Sequence, residues 1–277
     1  MNKVKEFPSI VKLMDEGIQK EIDRETLEWN TRSKMDRFPL SPSQIGKCGL
    51  ALARNLSHYL KLADYPRSPD SIKPRIKRIF ARGFLLEEAL IGDLERCTDL
   101  KVHDQQRRVR LFPLSAEHAV EGSIDGVAVH EKDGVRILMD YKSKGAFYSA
   151  AFSDSISQFF IELKTTGLVE EFSPNSFFIT DAKALFDLIS LDEFFVDYLL
   201  QLNSYAFAEG MSVDFVALYY ENKNTCANYE VRWVPHPALF EYAKAKFQYI
   251  YDTVKAKGAE AVPKEFQLGT ARCRLCD

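Results

Sequence analysis

The spacing of apolar residues along the chain changes from a helical period to a strand period and back again. Helical spacing over residues 5–30 predicts a first helix, and Ser43 is a suitable N-cap for a second helix over about 44–60. A third helix is predicted from about Pro74 to Glu95, with proline in its first turn. The period then becomes two, which predicts strands in "QQRRVRLF", "AVEGSIDGVAVH" and "VRILMDYKS".

The later part of the chain returns to long helical and strand patterns. Helices are predicted in "DEFFVDYLLQLNSYAFAEG" and "PALFEYAKAKFQYIYDTVKAKG", and a hairpin in "VDFVALYY" with "ANYEVRWV". Residues 146–190 have the weakest pattern and are interpreted as helical pieces broken at Gly167 and Pro174. The order of elements predicts an α/β fold in which helices flank a central mixed β-sheet.

Length and composition narrow the class of protein. With 277 residues, 46% of them hydrophobic, the chain can bury a sizeable core, and we expect a helical extension over 1–40 followed by one domain over 41–277. No apolar run approaches the roughly 18 to 20 residues of a membrane helix, and the charged start is unlike a signal peptide, so we expect a cytoplasmic or organelle-matrix protein with no membrane partner. The net charge of -3 means that any nucleic-acid binding must depend on local patches or on metal ions.

Two carboxylates are predicted to converge near the end of a hairpin. Successive side chains of a strand alternate between faces, so Asp140 and Lys142 point the same way, and the "EKDG" turn brings the strand of Asp125 alongside. Converging carboxylates are costly unless a cation lies between them, and oxygen ligands suit Mg2+ or Mn2+. Such ions activate water for displacement at phosphorus, and Lys142 could orient or deprotonate that water or neutralise charge on the phosphate. The alternative is a turn acid in Asp125 and a plain salt bridge between Asp140 and Lys142.

The third predicted helix carries further candidates. Gly83 and Glu87 share one face, so Glu87 is either a third acid or an ordinary solvated glutamate. Arg75, Arg78 and Arg82 line one face of the same helix, which is either solvated or set to meet a phosphate backbone.

Four short motifs in a fixed order point to one family. They are Gly83-x-x-x-Glu87, Gly122-Ser-Ile-Asp125, Asp140-Tyr-Lys142 and Gln201-Leu-Asn-Ser-Tyr205, spread over the predicted domain. Together they resemble the PD-(D/E)XK nuclease superfamily, and in particular its RecB-type, viral-exonuclease and CRISPR-adaptation branches. The resemblance implies a restriction-endonuclease-like core, and it is the order of the motifs on helix, strand, strand and helix that carries it.

The resemblance also implies roles for individual residues. The metal ligands it implies are Glu87, Asp125, Asp140 and the main-chain carbonyl of Tyr141. Lys142 would be the catalytic lysine, and Gln201 and Tyr205 match the QxxxY motif, which in such enzymes lies beside the active site and contacts DNA. Many relatives carry histidine where this chain has Glu87, although the lambda-exonuclease-like branch uses glutamate.

A second acid-x-lysine motif competes with the first. In "FFIELKTTG", Glu162 and Lys164 have the same spacing as Asp140 and Lys142. The second motif lacks a preceding hairpin acid, and its residues also fit a helix with Glu162 exposed. We therefore favour Asp140 and Lys142.

The five cysteines, an odd number, predict free thiols or metal ligands rather than disulfides. Cys273 and Cys276 have the C-x2-C spacing of zinc, iron-sulfur and redox sites. In the iron-sulfur members of the nuclease group, a cysteine near the N-terminal helix joins three from a C-terminal cluster, which here implies a [4Fe-4S] cluster, or zinc as second choice, on Cys48, Cys273 and Cys276. A fourth ligand is open between Cys97, Cys226 and a non-protein group, and so is the alternative that no cluster forms.

These features together predict a metal-dependent DNA nuclease. The resemblance favours an exonuclease that acts at single-stranded or duplex DNA ends, in recombination, repair or replication in a bacterial or phage-infected cell, with DNA and other recombination or replication proteins as partners. The alternatives are a structure-selective endonuclease of the same fold and a non-catalytic DNA-binding subunit.

Overall fold

The computed structural model describes Lys20 and residues 38–46, 48–63, 74–144, 163–188, 193–222 and 228–263; for residues 74–84, 143–144, 193–194 and 222 it describes the backbone alone. The chain divides into two compact units, one of Met1–Arg37 with Pro66–Ala89 and the other of Phe38–Tyr65 with Leu90–Asp277. The extension predicted over 1–40 falls almost wholly outside the described residues, so its boundary remains a prediction.

The described residues form helices and strands in an alternating order. The helices are α1 (Gly49–Tyr59), α2 (Pro74–Cys97), α3 (Ala182–Leu188), α4 (Glu193–Ala206) and α5 (Pro237–Lys257), with short 3-10 segments at Pro42–Gln44 and Ala259–Ala261. The strands are β1 (Leu100–His103), β2 (Arg108–Pro113), β3 (Ala119–Ser123), β4 (Gly126–His130), β5 (Arg136–Lys144), β6 (Val169–Ser173), β7 (Ser176–Ile179), β8 (Phe215–Asn222) and β9 (Asn228–Trp233). None of the described helices is long and apolar enough to cross a membrane.

Seven of these strands form one mixed sheet in the order β1-β4-β5-β8-β9-β7-β6, and β2 pairs with β3 in a separate two-stranded sheet. The pairs β5–β8 and β7–β9 are parallel, and the remaining pairs are antiparallel. The predicted α/β fold with a central mixed sheet is confirmed, and it is consistent with a restriction-endonuclease-like core.

Both faces of the central sheet carry apolar residues, because adjacent residues of β5 point to opposite sides. Leu138 is fully buried in the main core, which it shares with Leu199 of α4 and Trp233 of β9. Ile137 belongs to a smaller cluster on the other side, against which Ile91 of α2 packs. Asp140 and Lys142 follow the alternation of Leu138, so they lie on the side of the main core.

The longest sequence patterns are confirmed. Helices α2, α4 and α5 and the β8–β9 hairpin lie where the pattern predicts them. Helix α5 begins at Pro237, after the N-cap His236, whose side chain accepts a hydrogen bond from the Ala238 amide. It ends before Gly258, whose φ of 84° is a left-handed conformation that favours glycine.

Two local predictions were wrong. Residues 169–179, interpreted as helical, form the β6–β7 hairpin, whose turn places Asn175 at φ 62°. The alternation was hidden because most of β6 is exposed at the edge of the sheet, whereas β7 buries Phe177 and Ile179. The second helix begins at Gly49 and not near residue 44, with Cys48 and not Ser43 as its N-cap residue, because the preceding residues form a 3-10 turn.

A buried polar cluster joins the segment before α1 to helices α4 and α5. The Lys246 side chain is 1% exposed and donates a hydrogen bond to the main-chain oxygen of Ile45. An added Cβ at Gly46 would lie 1.2 Å from Oδ1 of Asp197, so the space is filled by that carboxylate. Burial lowers the pKa of Lys246 to about 8, and the negative charge of Asp197 opposes this shift.

The free energy of unfolding is expected to rise with pH between about 8 and 10.5 because of Lys246. Its pKa is about 8 when folded and 10.5 when exposed, so within this window the unfolded chain binds one more proton, and deprotonation favours the folded state. The change is on the order of 3 kcal/mol over the window. Denaturant unfolding at several pH values should show a steeper rise for the native chain than for Lys246→Met, with Lys244→Met, a half-buried lysine of the same helix, as the control. Equal slopes for Lys246→Met and the native chain would contradict it.

Candidate active site

The first feature of the candidate site is a break in a strand that the sequence pattern predicts as continuous. Residues before Ile124 belong to β3, which pairs with β2, whereas residues after Asp125 belong to β4, which pairs with β1 and β5. Ile124 is buried, and its amide donates to the carbonyl of Arg107 at 3.1 Å. Asp125 therefore lies where the chain passes from one sheet to the other, and Oδ2 of its carboxylate accepts a hydrogen bond from the Tyr141 amide at 2.9 Å.

The second feature is the acid-x-lysine pair on β5. Asp140 is only 3% exposed and lies beside Leu218 of β8 in the parallel register, while Lys142 lies beside Tyr220. The ammonium of Lys142 is 2.5 Å from Oδ2 of Asp140 and 3.9 Å from Oδ2 of Asp125. The structure thus brings together Asp125, immediately before β4, with Asp140 and Lys142 on the neighbouring strand β5.

The electrostatics of this trio depend on burial. Burial raises the pKa of Asp140 to about 7; the positive charge of Lys142 opposes the shift, and the like charge of Asp125 adds to it. Burial also lowers the pKa of Lys142, but the charges of Asp140 and Asp125 together outweigh this effect, so the net shift is upward. The ammonium of Lys142 is therefore charged at neutral pH in this arrangement.

The donor set fits a hard divalent cation. Oδ2 of Asp140 is fully buried and lies in an ion pair, but no described donor gives it a well-directed hydrogen bond. Among the residues that the structure describes, no group of three or more His, Cys, Asp or Glu side chains gathers as a ligand set. Mg2+ is commonly held by one or two carboxylates together with water and substrate phosphates, which is the chemistry that Asp125 and Asp140 offer; the ligand role of these residues and of the Tyr141 carbonyl remains a prediction.

The structure describes the predicted metal ligand and DNA-contact residues of α2 only in part. Glu87 is half-buried on this helix, in the unit that does not contain Asp125 and Asp140, and its role as a ligand remains a prediction. The backbone of Arg75, Arg78 and Arg82 is helical as expected, while their side chains lie outside the described part.

The QxxxY pair on α4 lies against the β3 end of the site. An added Cβ at Gly122 would lie 2.5 Å from the Tyr205 hydroxyl, so this glycine makes room for the phenol. Burial raises the pKa of Tyr205 to about 12, the charge of Asp140 adds to the shift, and a hydrogen bond with Gln201 opposes it. Tyr205 is 4% exposed, so its ring has no open face for stacking on a base in this structure; the DNA-contact role of Gln201 and Tyr205 remains a prediction.

The competing motif is described only at its lysine. Lys164 is exposed, and its ammonium lies 2.5 Å from Oε2 of Glu171 on the edge strand β6. Glu162 lies outside the described residues. The visible partner of Lys164 is therefore a surface acid and not a buried one.

Two of the five cysteines lie among the described residues. Cys48 is 9% exposed at the start of α1, and Cys97 is exposed at the end of α2. Cys226, Cys273 and Cys276 lie outside the described residues, so the metal centre predicted on Cys48, Cys273 and Cys276 has no geometric test.

Sequence reasoning missed two tyrosines beside Lys142. The ring centroid of Tyr198 on α4 is 5.6 Å from the ammonium of Lys142, and Tyr198 packs edge-on against Tyr220 of β8. Tyr198 lies three residues before Gln201, so both side chains are on one face of the predicted helix. This spacing could have indicated Tyr198 from the sequence. Tyr220 gave no signal of its own, because its place beside Lys142 depends on the parallel pairing of β5 with β8.

Comparisons with known proteins show distant likenesses only. No model of a known protein family matches the chain, and no curated protein matches it. The crystal structure of SSO0001 is similar over 88% of each chain, with 13% identity and a TM-score of 0.40. The crystal structure of LHK-Exo in complex with dAMP is similar over 80% of this chain and 90% of that one, with 13% identity and a TM-score of 0.41. TM-scores this low carry no inference about activity.

Proposed function

We propose that this protein is a metal-dependent DNA nuclease, with an exonuclease acting at DNA ends as the favoured form. The observation that supports the proposal is the buried carboxylate of Asp140, held within 2.5 Å of the Lys142 ammonium and sharing that ammonium with Asp125. A buried acid with a pKa raised to about 7 costs free energy of folding, and such groups cluster at functional sites.

Asp125, Asp140 and the main-chain carbonyl of Tyr141 would hold the divalent metal, with Glu87 as a further candidate. When bound, Mg2+ or Mn2+ supplies Lewis-acid polarisation of the scissile phosphate and a water of lowered pKa. The Tyr141 amide fixes the carboxylate of Asp125, and the sheet fixes Asp140, so these oxygens need little rearrangement to act as ligands.

The role of Lys142 follows from its charge. Its raised pKa keeps the ammonium protonated, so it donates hydrogen bonds to phosphate oxygens or to the attacking water and stabilises the negative charge that develops on phosphorus. While charged, it has no lone pair to accept a proton from water. Without a metal, the arrangement therefore favours charge stabilisation and orientation over general-base catalysis.

The form of nuclease is tested with end-labelled linear DNA and closed circles. An exonuclease degrades linear single strands or duplexes from an end in Mg2+ or Mn2+, and leaves closed circular single strands intact under the same conditions. Rapid cutting of the circles would favour the structure-selective endonuclease. Binding of both substrates without cleavage, in either metal, would favour the non-catalytic DNA-binding subunit.

Three further expectations from the sequence extend this proposal. Arg75, Arg78 and Arg82 would contact the phosphate backbone, and Gln201 with Tyr205 would lie beside the bound strand. The thiols of Cys48, Cys273 and Cys276 would hold a [4Fe-4S] cluster or zinc. Roles in recombination, repair or replication, with other proteins of those processes, extend the nuclease proposal.

A further inference from the structure

Helix α4 presents three polar aromatic or amide side chains toward the site. Tyr198, Gln201 and Tyr205 are spaced i, i+3 and i+7, which places them on one helix face. Tyr205 lies at the Gly122 end, whereas the ring of Tyr198 lies next to Lys142, with 5.6 Å between the ring centroid and the ammonium. One helix thus contacts Gly122 at one end of the site and Lys142 at the other.

The position of the Tyr198 ring is set by packing. Tyr198 is half-buried and meets Tyr220 edge-on, with 5.9 Å between ring centroids and 82° between ring planes. Tyr220 is 3% exposed and lies directly beside Lys142 in the parallel β5–β8 register. The same pair of strands therefore carries the lysine and the residue that supports the ring facing it.

The Lys142 side chain is flexible, so a neighbouring ring is needed to restrict its position. It has a flexible four-carbon stem, and its side chain is 26% exposed, so solvent competes for the ammonium. Asp140 attracts the ammonium from one direction, and an aromatic face within about 6 Å attracts it from another.

We propose that Tyr198 is a positioning residue that confines the Lys142 ammonium beside Asp140 and Asp125, with its aromatic ring and not its hydroxyl as the acting group. The inference rests on the proposed nuclease function, since the position of Lys142 affects catalysis only if Lys142 acts there.

The kinetic test compares Tyr198→Phe with Tyr198→Leu on linear DNA. Tyr198→Leu is expected to lower kcat by about 2- to 30-fold with KM unchanged, which is the range of a cation–ring attraction, whereas Tyr198→Phe keeps kcat within about twofold. Tyr242→Leu is the matched control, because Tyr242 is a half-buried tyrosine of α5 that packs against Phe186. An equal loss in Tyr198→Phe would assign the effect to the hydroxyl, and an equal loss in Tyr242→Leu would assign it to general packing; either result overturns the inference.

A measurement without DNA or metal separates this inference from the proposed function. In protein labelled with 13C at the ε carbon of lysine, the Lys142 resonance is identified by its absence in Lys142→Arg. We expect Tyr198→Leu to move that resonance toward the position of exposed lysines, because the ring current is lost, and Tyr198→Phe to leave it in place. An unmoved resonance in Tyr198→Leu would overturn the inference even in an active nuclease. A moved resonance in a protein that cleaves no DNA would support the contact and reject the nuclease function.

Discussion

Replacing Lys142 by alanine is expected to lower the cleavage rate of linear DNA by about 10^2- to 10^4-fold, the range of a positioned acid-base or charge-stabilising group. The ammonium forms an ion pair with the buried Asp140 at the site, so its loss removes the stabilisation of negative charge on the phosphate. Single-turnover rates at saturating DNA measure the chemical step, and DNA binding in chelator should change little.

Lys164→Ala is the matched control for Lys142→Ala. Lys164 is an exposed lysine in an identical acid-x-lysine spacing, paired with Glu171, and its loss is expected to leave the cleavage rate unchanged. Lys142→Ala also removes the ion-pair partner of a buried carboxylate, which can destabilise the fold. The free energy of unfolding of each variant must therefore be measured, and cleavage assayed well below the thermal unfolding midpoint. Normal cleavage by Lys142→Ala together with an inactive Lys164→Ala would move the site to the "IELK" motif.

Removal of divalent metal is expected to abolish cleavage, and Mg2+ or Mn2+ should restore it. The carboxylates of Asp125 and Asp140 converge on one ammonium, and the buried Oδ2 of Asp140 has no well-directed hydrogen bond among the described residues. These oxygens can therefore coordinate a divalent cation in addition to the lysine. Asp140→Asn keeps the shape of the side chain but removes its charge, and is expected to lower turnover by at least about 10^3-fold.

Calorimetry without DNA measures the metal site separately from cleavage. Asp140→Asn should lose most of the Mn2+ affinity of the native protein, whereas Asp133→Asn should retain it, because Asp133 is an exposed turn residue paired with His130. Full activity in chelator would reject metal dependence. Unchanged Mn2+ affinity in Asp140→Asn would place the metal on other ligands.

Local periodicity predicts the elements correctly where they are long and have one buried face. The alternation across β5 places Asp140 and Lys142 on one side, and this holds in the structure because the sheet is covered on that side by α4. The same reasoning fails for β6, whose exposed residues leave no apolar alternation to detect.

The approach of Asp125 was predicted in outline and for a partly different reason. The sequence pattern indicates one strand through this residue, and the hairpin to β5 does exist. The structure instead ends β3 before Asp125 and begins β4 after it, so a junction between two sheets aims the carboxylate at the Tyr141 amide. A strand pattern records alternation but does not record which partner each half of the strand takes.

The sequence by itself determined the long helices, the β8–β9 hairpin and the shared face of Asp140 and Lys142, because these depend on neighbours within a few residues. Only the tertiary structure decided that a junction between two sheets brings Asp125 to the Tyr141 amide and that the ring of Tyr198 faces the lysine. The first contact depends on the pairing of β4 with β5, and the second joins segments distant in the chain and forms only when α4 packs on the sheet.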